Sequence, residues 1–520
     1  MNRLAYTTIL SITAAATPLA SASTADDIRT LLDEGNYSEA FDMAKKALDD
    51  KENSSLAGSL NELAGEALWL MKGHDEEAKT YFEEARRKGV ADASLYLGRM
   101  AMLDYNFPEA QKSYGEYKRL KIKSRKPLAD YFEFEENGVA VGNKQFERVR
   151  EVIVIDAVEV DRKNFFKHMR LPASAGRLMA IDDMPLPRDG RERNEIGFSS
   201  EHGDTYLWSE MNDSTGYLTI AEASRLADGS LSTTHYAPDF LAEESDALFP
   251  FLSADGTTLY YASDCKGSIG GYDIFMASRD PQTGDYMQPV NAGIPFNSAA
   301  DDFMMAIDEE NGVGWWASDR RRLPDDKVTL FVYLLSDERK NLEADPETLR
   351  KWSRLDDFRL TWEEPTPFND EDDQDDEDDQ EGADSKPAAP ALSPEELEAQ
   401  KRERFKEYEA KRAEIARIVP GSGKKKNKTG LEIPLKGGES ICSPDDVKTA
   451  EQKMLVEKIM EMQKVCNANA GELKNKRREY ASKPSPHLGK EILAMERALA
   501  LEEASLTKQK SLLYRMLGYK

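Results

Sequence analysis

The sequence predicts a multidomain chain of mixed α and β structure, with α-helical repeats first, an all-β domain in the middle and an α-helical hairpin or coiled coil at the end. Three observations predict this order. Small residues recur at a helical-repeat spacing over residues 25–148, strand-length apolar runs separated by turn residues fill 150–345, and apolar residues recur every seven positions within 393–520. An acidic segment, 346–392, separates the last two parts.

The charge of the chain narrows its possible partners. The 520 residues carry a formal net charge of -27, and 13 acidic residues with no base lie between Glu363 and Asp384. Nucleic acid and anionic membrane surfaces are themselves negative, so neither is expected as a partner. Hydrophobic residues make up 40% of the chain, which is enough for folded cores.

The first residues predict a targeting segment. Arg3 gives a basic start, an apolar run follows from Leu4 to Ala16, and Ala20-Ser21-Ala22 matches a signal-peptide cleavage site. The apolar run is too short to cross a bilayer, which takes about 20 residues. We therefore expect residues 1–22 to be a signal peptide and the mature chain to be exported without spanning the membrane. A buried N-terminal helix is the alternative.

The three cysteines fit an oxidising compartment. Cys442 and Cys466 lie 24 residues apart, and a disulfide between them would close a useful loop. Two buried thiols are the alternative interpretation, and Cys265 is left over in either case. The spacing matches no zinc motif, because there is no CxxC and no nearby histidine pair.

Three segments repeat in the helical part. Ala40, Ala78 and Ala110 lie 38 and 32 residues apart, close to a repeat of about 34 residues, and Gly98 occupies a position where two helices touch. Antiparallel helices pack closely where a small residue faces a large one, which explains the residue types. The pattern resembles the tetratricopeptide repeat family over residues 25–148, with an unrelated helical bundle as the alternative. The resemblance implies an adaptor that binds a peptide or partner helix in a concave face.

A second repeat occurs in the β-rich part. Residues 253–264 are similar to 311–319, and a weaker copy at 203–209 aligns Ser209 with Ser263 at nearly the same spacing. In each unit a tight hairpin turn is followed by an aromatic pair that places one ring on each face of a strand. These residues are Asp255, Gly256, Tyr260, Tyr261, Trp315 and Trp316.

The same units resemble the WD40-like repeat of TolB-type β-propellers. The resemblance also rests on Asp246, Gly270, Gly271, Tyr272 and Asp273. It implies one propeller blade per unit. Because 150–345 holds three to four recognisable blades, either further diverged blades close the ring or the array of sheets stays partly open.

Tetratricopeptide repeats followed by such blades resemble a group of Gram-negative envelope proteins. The resemblance implies a periplasmic location, or association with the outer membrane, and other envelope proteins as partners in assembly or secretion. Some relatives carry a lipidation Cys or an OmpA-like peptidoglycan-binding domain. This chain matches neither feature, so anchoring and cell-wall binding are not implied.

The remaining segments predict a linker and charged helices. The acidic run cannot bury a core and lacks the order of an EF-hand, so we expect a disordered linker rather than a calcium site. Beyond it, apolar residues follow one face of each helix, which favours an intrachain hairpin over a coiled coil with a partner or a second copy. These residues are Leu397, Phe405, Tyr408, Ile415, Val419, Leu455, Ile459, Met462, Cys466, Ile492, Leu499, Leu506 and Leu513.

No catalytic, cofactor or metal motif is found in the sequence. The five histidines are scattered, and GxSxG, phosphate-loop and dinucleotide motifs are missing. Asp255 and Asp273 are the acids that most invite a functional role, but turn formation and blade packing explain both. Three hypotheses follow, in order of preference: a non-enzymatic envelope scaffold, a propeller that binds glycan or peptidoglycan through aromatic residues, and a propeller-borne hydrolase.

Overall fold

The structure is a computed structural model that describes residues 19–201, 203–226, 230–280, 285–336, 338–363 and 394–417, together with 433–434, 440–441, 447, 449–482 and separate positions between 487 and 517. The described residues up to 417 belong to one compact unit, and those from 433 onward belong to a second. Among the helices of these residues, none combines the length and the apolar character needed to cross a membrane.

Seven helices open the first unit, and they form antiparallel pairs as the small-residue pattern predicts. Ala40, Ala78 and Ala110 are fully buried between helices. Gly98 lies against the Tyr114 ring, where a Cβ atom would come within 2.2 Å of a ring carbon. The helices are α1 (Leu19–Asp33), α2 (Tyr37–Asp49), α3 (Ala57–Met71), α4 (Asp75–Arg87), α5 (Ala91–Leu103), α6 (Phe107–Ser124) and α7 (Phe132–Phe146). α1 begins inside the segment expected to be a signal peptide, most of which lies outside the described residues.

Thirteen described strands form three antiparallel sheets between residues 154 and 334. They are β1 (Val154–Asp161), β2 (Arg177–Ala180), β3 (Ile196–Ser199), β4 (Thr205–Met211), β5 (Leu218–Ser224), β6 (His235–Tyr236), β7 (Ala247–Leu252), β8 (Thr258–Ser263), β9 (Asp273–Ser278), β10 (Val290–Asn291), β11 (Asp302–Asp308), β12 (Val313–Ser318) and β13 (Lys327–Leu334). The first sheet has the order β2-β3-β4-β5-β6 and the second β10-β9-β8-β7. In the third sheet, β1 pairs with β13 at the outer edge, so the order is β1-β13-β12-β11.

The three sheets share one apolar core. Phe198 of the first sheet meets Phe251 of the second edge to face, with ring centroids 5.2 Å apart. Phe249 of the second sheet stacks on Phe303 of the third at 4.9 Å. Phe165, in the connection after β1, contacts both Phe249 and Phe303. Aromatic side chains therefore join each sheet to its neighbour in sequence.

The strand pairing corrects the alignment of the first repeat. The Ser200 N–H donates to the Thr205 carbonyl just as the Ser253 N–H donates to that of Thr258, so the two hairpins correspond with Ser200 matched to Ser253. On β4, Glu210 therefore takes the place of Ser263, and Ser209 does not. The sequence comparison was off by a single position because it relied on serine identity, whereas the turn sets the register.

The last helices of the array pack directly onto the sheets. A buried cluster combines Tyr105, Phe107 and Phe132 of the helical part with Ile269 and Ile294 of the β part. Tyr105 has a positive φ of 53° at the turn between α5 and α6, and its hydroxyl donates to the Asn297 carbonyl at 3.2 Å. The helical and β parts are therefore one body rather than two modules on a flexible joint.

Part of the segment expected to be a disordered linker is folded. Helix α8 (Pro346–Arg354) begins with Asp345 as its N-cap and buries Trp352, and a short 3₁₀ turn follows over Phe358–Trp362. Trp352 and Trp362 supply the buried apolar area that the acidic run lacks, so the linker begins after them and not at residue 346. The acidic residues 364–384 lie outside the described residues.

The helix that follows this gap covers the open edge of the third sheet. Helix α9 (Pro394–Ile415) packs on β1 through Ile415, which is buried in the shared core, and through an Arg412–Asp156 salt bridge of 2.7 Å. At the same edge, Trp362 Nε1 donates to the Val154 carbonyl at 2.7 Å, and the Val154 N–H donates to Thr361 Oγ1 at 3.0 Å. These contacts satisfy backbone groups that an edge strand would otherwise expose.

The second unit contains a long helix and a short strand pair. Helix α10 (Ala450–Ser482) follows β14 (Ile433–Pro434) and β15 (Ser440–Ile441). Its apolar face, including Ile459 and Cys466, packs against Leu506 and Leu513 in one cluster. The C-terminal part of the chain is therefore helical, and the intrachain hairpin stays a prediction. Cys442 lies outside the described residues, so the Cys442–Cys466 disulfide stays a prediction.

Candidate functional site

The odd-numbered helices of the array carry a row of charged side chains on one face. On α1, the guanidinium of Arg29 donates to Glu66 of α3 at 2.5 Å and to Glu62 of the same helix at 3.3 Å. The Arg29 side chain is 38% exposed, whereas Glu62 and Glu66 are 11% and 13% exposed. At the α1 end of this row, the accessible Arg29 side chain therefore contacts two nearly buried carboxylates, Glu62 and Glu66.

The row continues along α5 and α7. Tyr96 lies beside Glu66, and the guanidinium of Arg99 lies 5.2 Å from the centre of the Tyr96 ring. Arg99 donates to both carboxylate oxygens of Glu135 on α7, with a shortest distance of 2.7 Å. We call Arg29, Glu62, Glu66, Tyr96, Arg99 and Glu135 the inner ladder.

Within the inner ladder, the nearby carboxyl group of Glu66 affects the ionisation of Glu62. Burial, and then the neighbouring Glu66 carboxylate, raise the pKa of Glu62 to about 8, and the positive charge of Arg29 opposes this rise. The shorter contact of Arg29 goes to Glu66, at 2.5 Å against 3.3 Å for Glu62, and the raised pKa of Glu62 favours the neutral form of that carboxyl. Burial also raises the pKa of Tyr96 well above its usual value.

The acids at the starts of the repeats act as links between neighbouring sheets. Asp246 accepts the backbone N–H of Leu218 at 2.8 Å, and Asp301 accepts that of Tyr272 at 3.0 Å. Asp246 and Asp301 directly precede β7 and β11, and the donors Leu218 and Tyr272 lie at the start of β5 and directly before β9, each in the preceding sheet. This shared contact explains why Asp246 recurs as Asp301, and it assigns both a structural role.

The turn and glycine residues of the motif also have structural positions. Asp255 accepts from Ser253 Oγ at 2.6 Å and from the N–H of Thr257 at 2.9 Å, which closes the hairpin, and Gly256 has a φ of 73°. Gly270 and Gly271 lie where the chain passes close to the next sheet. A Cβ atom on Gly271 would fall 2.0 Å from a carboxylate oxygen of Asp301.

Asp273 lies in a buried polar network. Its carboxyl accepts the Ile269 N–H at 3.0 Å and the Asn291 amide at 2.7 Å. Burial raises the pKa of Asp273 well above its usual range, which favours the neutral carboxyl. Nearby, the fully buried Asp302 pairs with Arg320 at 2.7 Å. These contacts hold strand ends and leave no converging pair of exposed carboxylates at this position.

The aromatic residues of the motif are mostly interior. Tyr261 and Trp315 lie in the core shared by the sheets, Trp316 lies in a separate cluster with Phe296, and Tyr260 is half-buried. All six tryptophans of the chain are among the described residues, and each is buried. The glycan hypothesis needs exposed aromatic rings, and the tryptophans do not provide them.

The inner ladder is not predicted from the sequence, in which the small residues of the repeat form the visible pattern. Arg29, Glu62 and Arg99 are charged residues on helices where burial is not apparent from the sequence, and their meeting depends on the packing between repeats. The charged residues at i and i+4 on α3, Glu62 and Glu66, were the available signal, since they share one helix face.

Comparison with known proteins gives no relatives for this chain. No protein-family model matches it, and neither a curated protein nor a solved structure matches it significantly. Among the residues that the structure describes, no group of three or more His, Cys, Asp or Glu side chains is arranged to hold a metal ion.

Proposed function

We propose that this chain is a non-enzymatic scaffold of the bacterial envelope, exported to the periplasm and able to associate with the outer membrane. Its helical part serves as a tetratricopeptide-like array and its sheets as propeller blades, both holding protein partners. The inner ladder is the observation that carries the proposal. Helical-repeat proteins bind partners on the face that one helix of every repeat lines, and the inner ladder lies on such a face.

The chemistry of the inner ladder supports a protein partner. Arg29 is accessible, and burial beside Glu66 raises the pKa of Glu62, so a second cation at this point would favour the ionised form of that carboxyl. A lysine or arginine from a partner would pair with these carboxylates through charge-assisted hydrogen bonds. We therefore expect a basic, extended or helical segment as the occupant.

The anchoring of the array supports a scaffold as well. Tyr105, Phe107 and Phe132 fix its C-terminal helices to the sheets through a buried cluster. A partner held on α1, α3 and α5 is then at a defined position relative to the β part. Deletion of residues 25–148 would expose that cluster, so the test must leave the array in place.

The experiment is site-specific photo-crosslinking in cells. A benzoyl-phenylalanine residue replaces Asp26, an exposed residue one turn before Arg29 on the same face of α1. The matched control replaces Lys79, an exposed residue on the even-numbered helix α4. Crosslinked products are purified through a tag on the full chain and identified by mass spectrometry.

We expect the Asp26 position to yield the same few envelope proteins in every replicate and the Lys79 position to yield none of them. If both positions give the same background, the inner face is not a binding face and the scaffold proposal is wrong. Recovery of cell-wall glycan instead of protein would favour the glycan hypothesis.

A further inference from the structure

The first sheet borders a cavity that lies apart from the inner ladder. Its volume is about 500 Å³, within the range of roughly 300–1,000 Å³ that is usual for small-molecule sites. It lies between the connection after β1, the strand β2 and the turn from β3 to β4. Arg225, just beyond β5, completes its lining.

The floor of the cavity is apolar and well ordered by packing. Phe166, Met169, Leu171 and Leu178 are all buried, and all belong to the core that the three sheets share. Ser199, which is 5% exposed, adds one hydroxyl to the wall. An apolar group that enters the cavity would replace water on this floor at a gain of about 25 cal/mol per Å² buried.

The rim of the cavity is cationic in a chain that is strongly acidic. Lys167, Arg177 and Arg225 line it against the single acid Glu201. None of the three cations forms a salt bridge with any described residue, whereas Arg191 and Arg193, near the same sheet, both do. Arginine and lysine side chains suit a carboxylate or phosphate group, and the apolar floor beside them suits an apolar group.

We propose that this cavity binds an anionic amphiphile, with the apolar chain on the Phe166–Leu178 floor and a carboxylate or phosphate head group held by Lys167, Arg177 and Arg225. The proposal is independent of the inner ladder, which lies on the helical array. It adds a lipid-like ligand to a protein whose other surfaces suit protein partners.

Calorimetric titration of the mature full-length chain tests the proposal. The probes are dodecanoate and dodecyl phosphate, each below its micelle concentration, with dodecanol as the uncharged control and acetate and inorganic phosphate as head groups alone. We expect saturable 1:1 binding of one or both anionic amphiphiles, a loss of affinity of about tenfold or more in Arg177→Ala and Arg225→Ala, and weakening as salt is raised. Comparing the affinities of dodecanoate and dodecyl phosphate identifies which head group the cavity prefers.

Arg188→Ala is the matched control, since Arg188 is exposed near the same sheet but does not line the cavity. Its affinity should equal that of the unchanged protein. Shortening the chain from dodecanoate to octanoate should weaken binding by up to about fourfold per methylene removed. No saturable binding, equal binding of dodecanol, or equal loss in Arg188→Ala and Arg177→Ala would each overturn the proposal. The substituted residues are exposed, so circular dichroism should show unchanged folding.

Discussion

Replacing Arg320 by methionine should destabilise the first unit more than any surface substitution. The Arg320 side chain is 4% exposed and that of Asp302 is fully buried. Arg320 donates to Asp302 at 2.7 Å, to the carbonyls of Pro295 and Phe296 at 2.7 and 2.6 Å, and to that of Ser353 at 3.2 Å. Methionine fills similar space but leaves the Asp302 charge without its partner.

The magnitude follows from the buried pair. Removing one member of a buried ion pair costs about 3–5 kcal/mol, because the remaining charge is desolvated and unpaired. At about 1.4 kcal/mol per tenfold change, the unfolding equilibrium should rise roughly a hundred-fold to several thousand-fold. In Arg320→Met, Asp302 still accepts hydrogen bonds from the N–H and the hydroxyl of Ser298, both at 2.6 Å. We therefore expect a loss of stability toward the lower end of this range.

Urea unfolding measures this effect, with tryptophan fluorescence and far-ultraviolet circular dichroism as two probes. Both probes should shift together, because Arg320 joins the loop before β11 to α8, while Tyr105 joins the same loop to the helices. Arg188→Met, on the surface, should leave the midpoint unchanged. The double variant Asp302→Leu and Arg320→Met should recover part of the loss, since it leaves no charge unpaired.

A cost below about 1 kcal/mol in Arg320→Met would refute the reasoning, because it would mean that the pair is solvated or absent. A double variant as unstable as the sum of both single variants would also contradict it. In that case the two side chains would act independently.

Three further predictions follow from particular contacts. Gly98→Ala should lower the free energy of unfolding by about 1–3 kcal/mol, because the added methyl group clashes with Tyr114. Gly115→Ala has open space around it and should stabilise α6 by about 0.5–1 kcal/mol, and thermal unfolding distinguishes the two variants. Because burial raises the pKa of Glu62 from 4.5 to about 8, its unfavourable contribution grows as the pH rises through this window, so Glu62→Gln should stabilise the protein more at pH 9 than at pH 5 in urea titrations. Asp301→Ala should cost about 1–3 kcal/mol by leaving the Tyr272 N–H unpaired, and equal stability of Asp301→Ala and the unchanged protein would contradict the role of this acid as a link between sheets.

The sequence predicted the order of helical and β parts because each part depends on local periodicity. The buried Ala40, Ala78 and Ala110 and the hairpin at Asp255 and Gly256 are readable from neighbouring residues alone. The predictions that were wrong concern the register of the first β repeat and the boundary of the acidic linker. The first repeat was aligned one position away from its true register, since serine identity carries less information than the turn that fixes strand pairing.

The candidate site was less predictable for a physical reason. The inner ladder needs the relative rotation of α1, α3, α5 and α7, and the cationic rim needs a connection, a strand end and a turn to meet. Neither arrangement produces a periodic pattern in the sequence. Charged residues in an acidic chain are expected to be solvated, so their burial or their lack of partners becomes visible only in the fold.

The run Arg320-Arg321-Arg322 shows how the two folded parts become one body. In the sequence it follows the Ser-Asp end of a repeat and has the composition of a solvated basic patch. In the structure each arginine contacts a different element. Arg320 pairs with Asp302 of the third sheet, Arg321 donates to the Leu355 carbonyl after α8, and Arg322 lies 3.5 Å from the centre of the Trp69 ring at the end of α3.

This arrangement bears on how a scaffold of this kind would work. Arg322 also pairs with Asp75 at the start of α4 at 3.1 Å, so the array is held to the sheets at its middle as well as at its C-terminal helices. Two separated attachments fix the rotation of the array, which a single attachment would leave free. A partner on the inner ladder and a ligand in the cavity of the first sheet would therefore be presented at a constant separation.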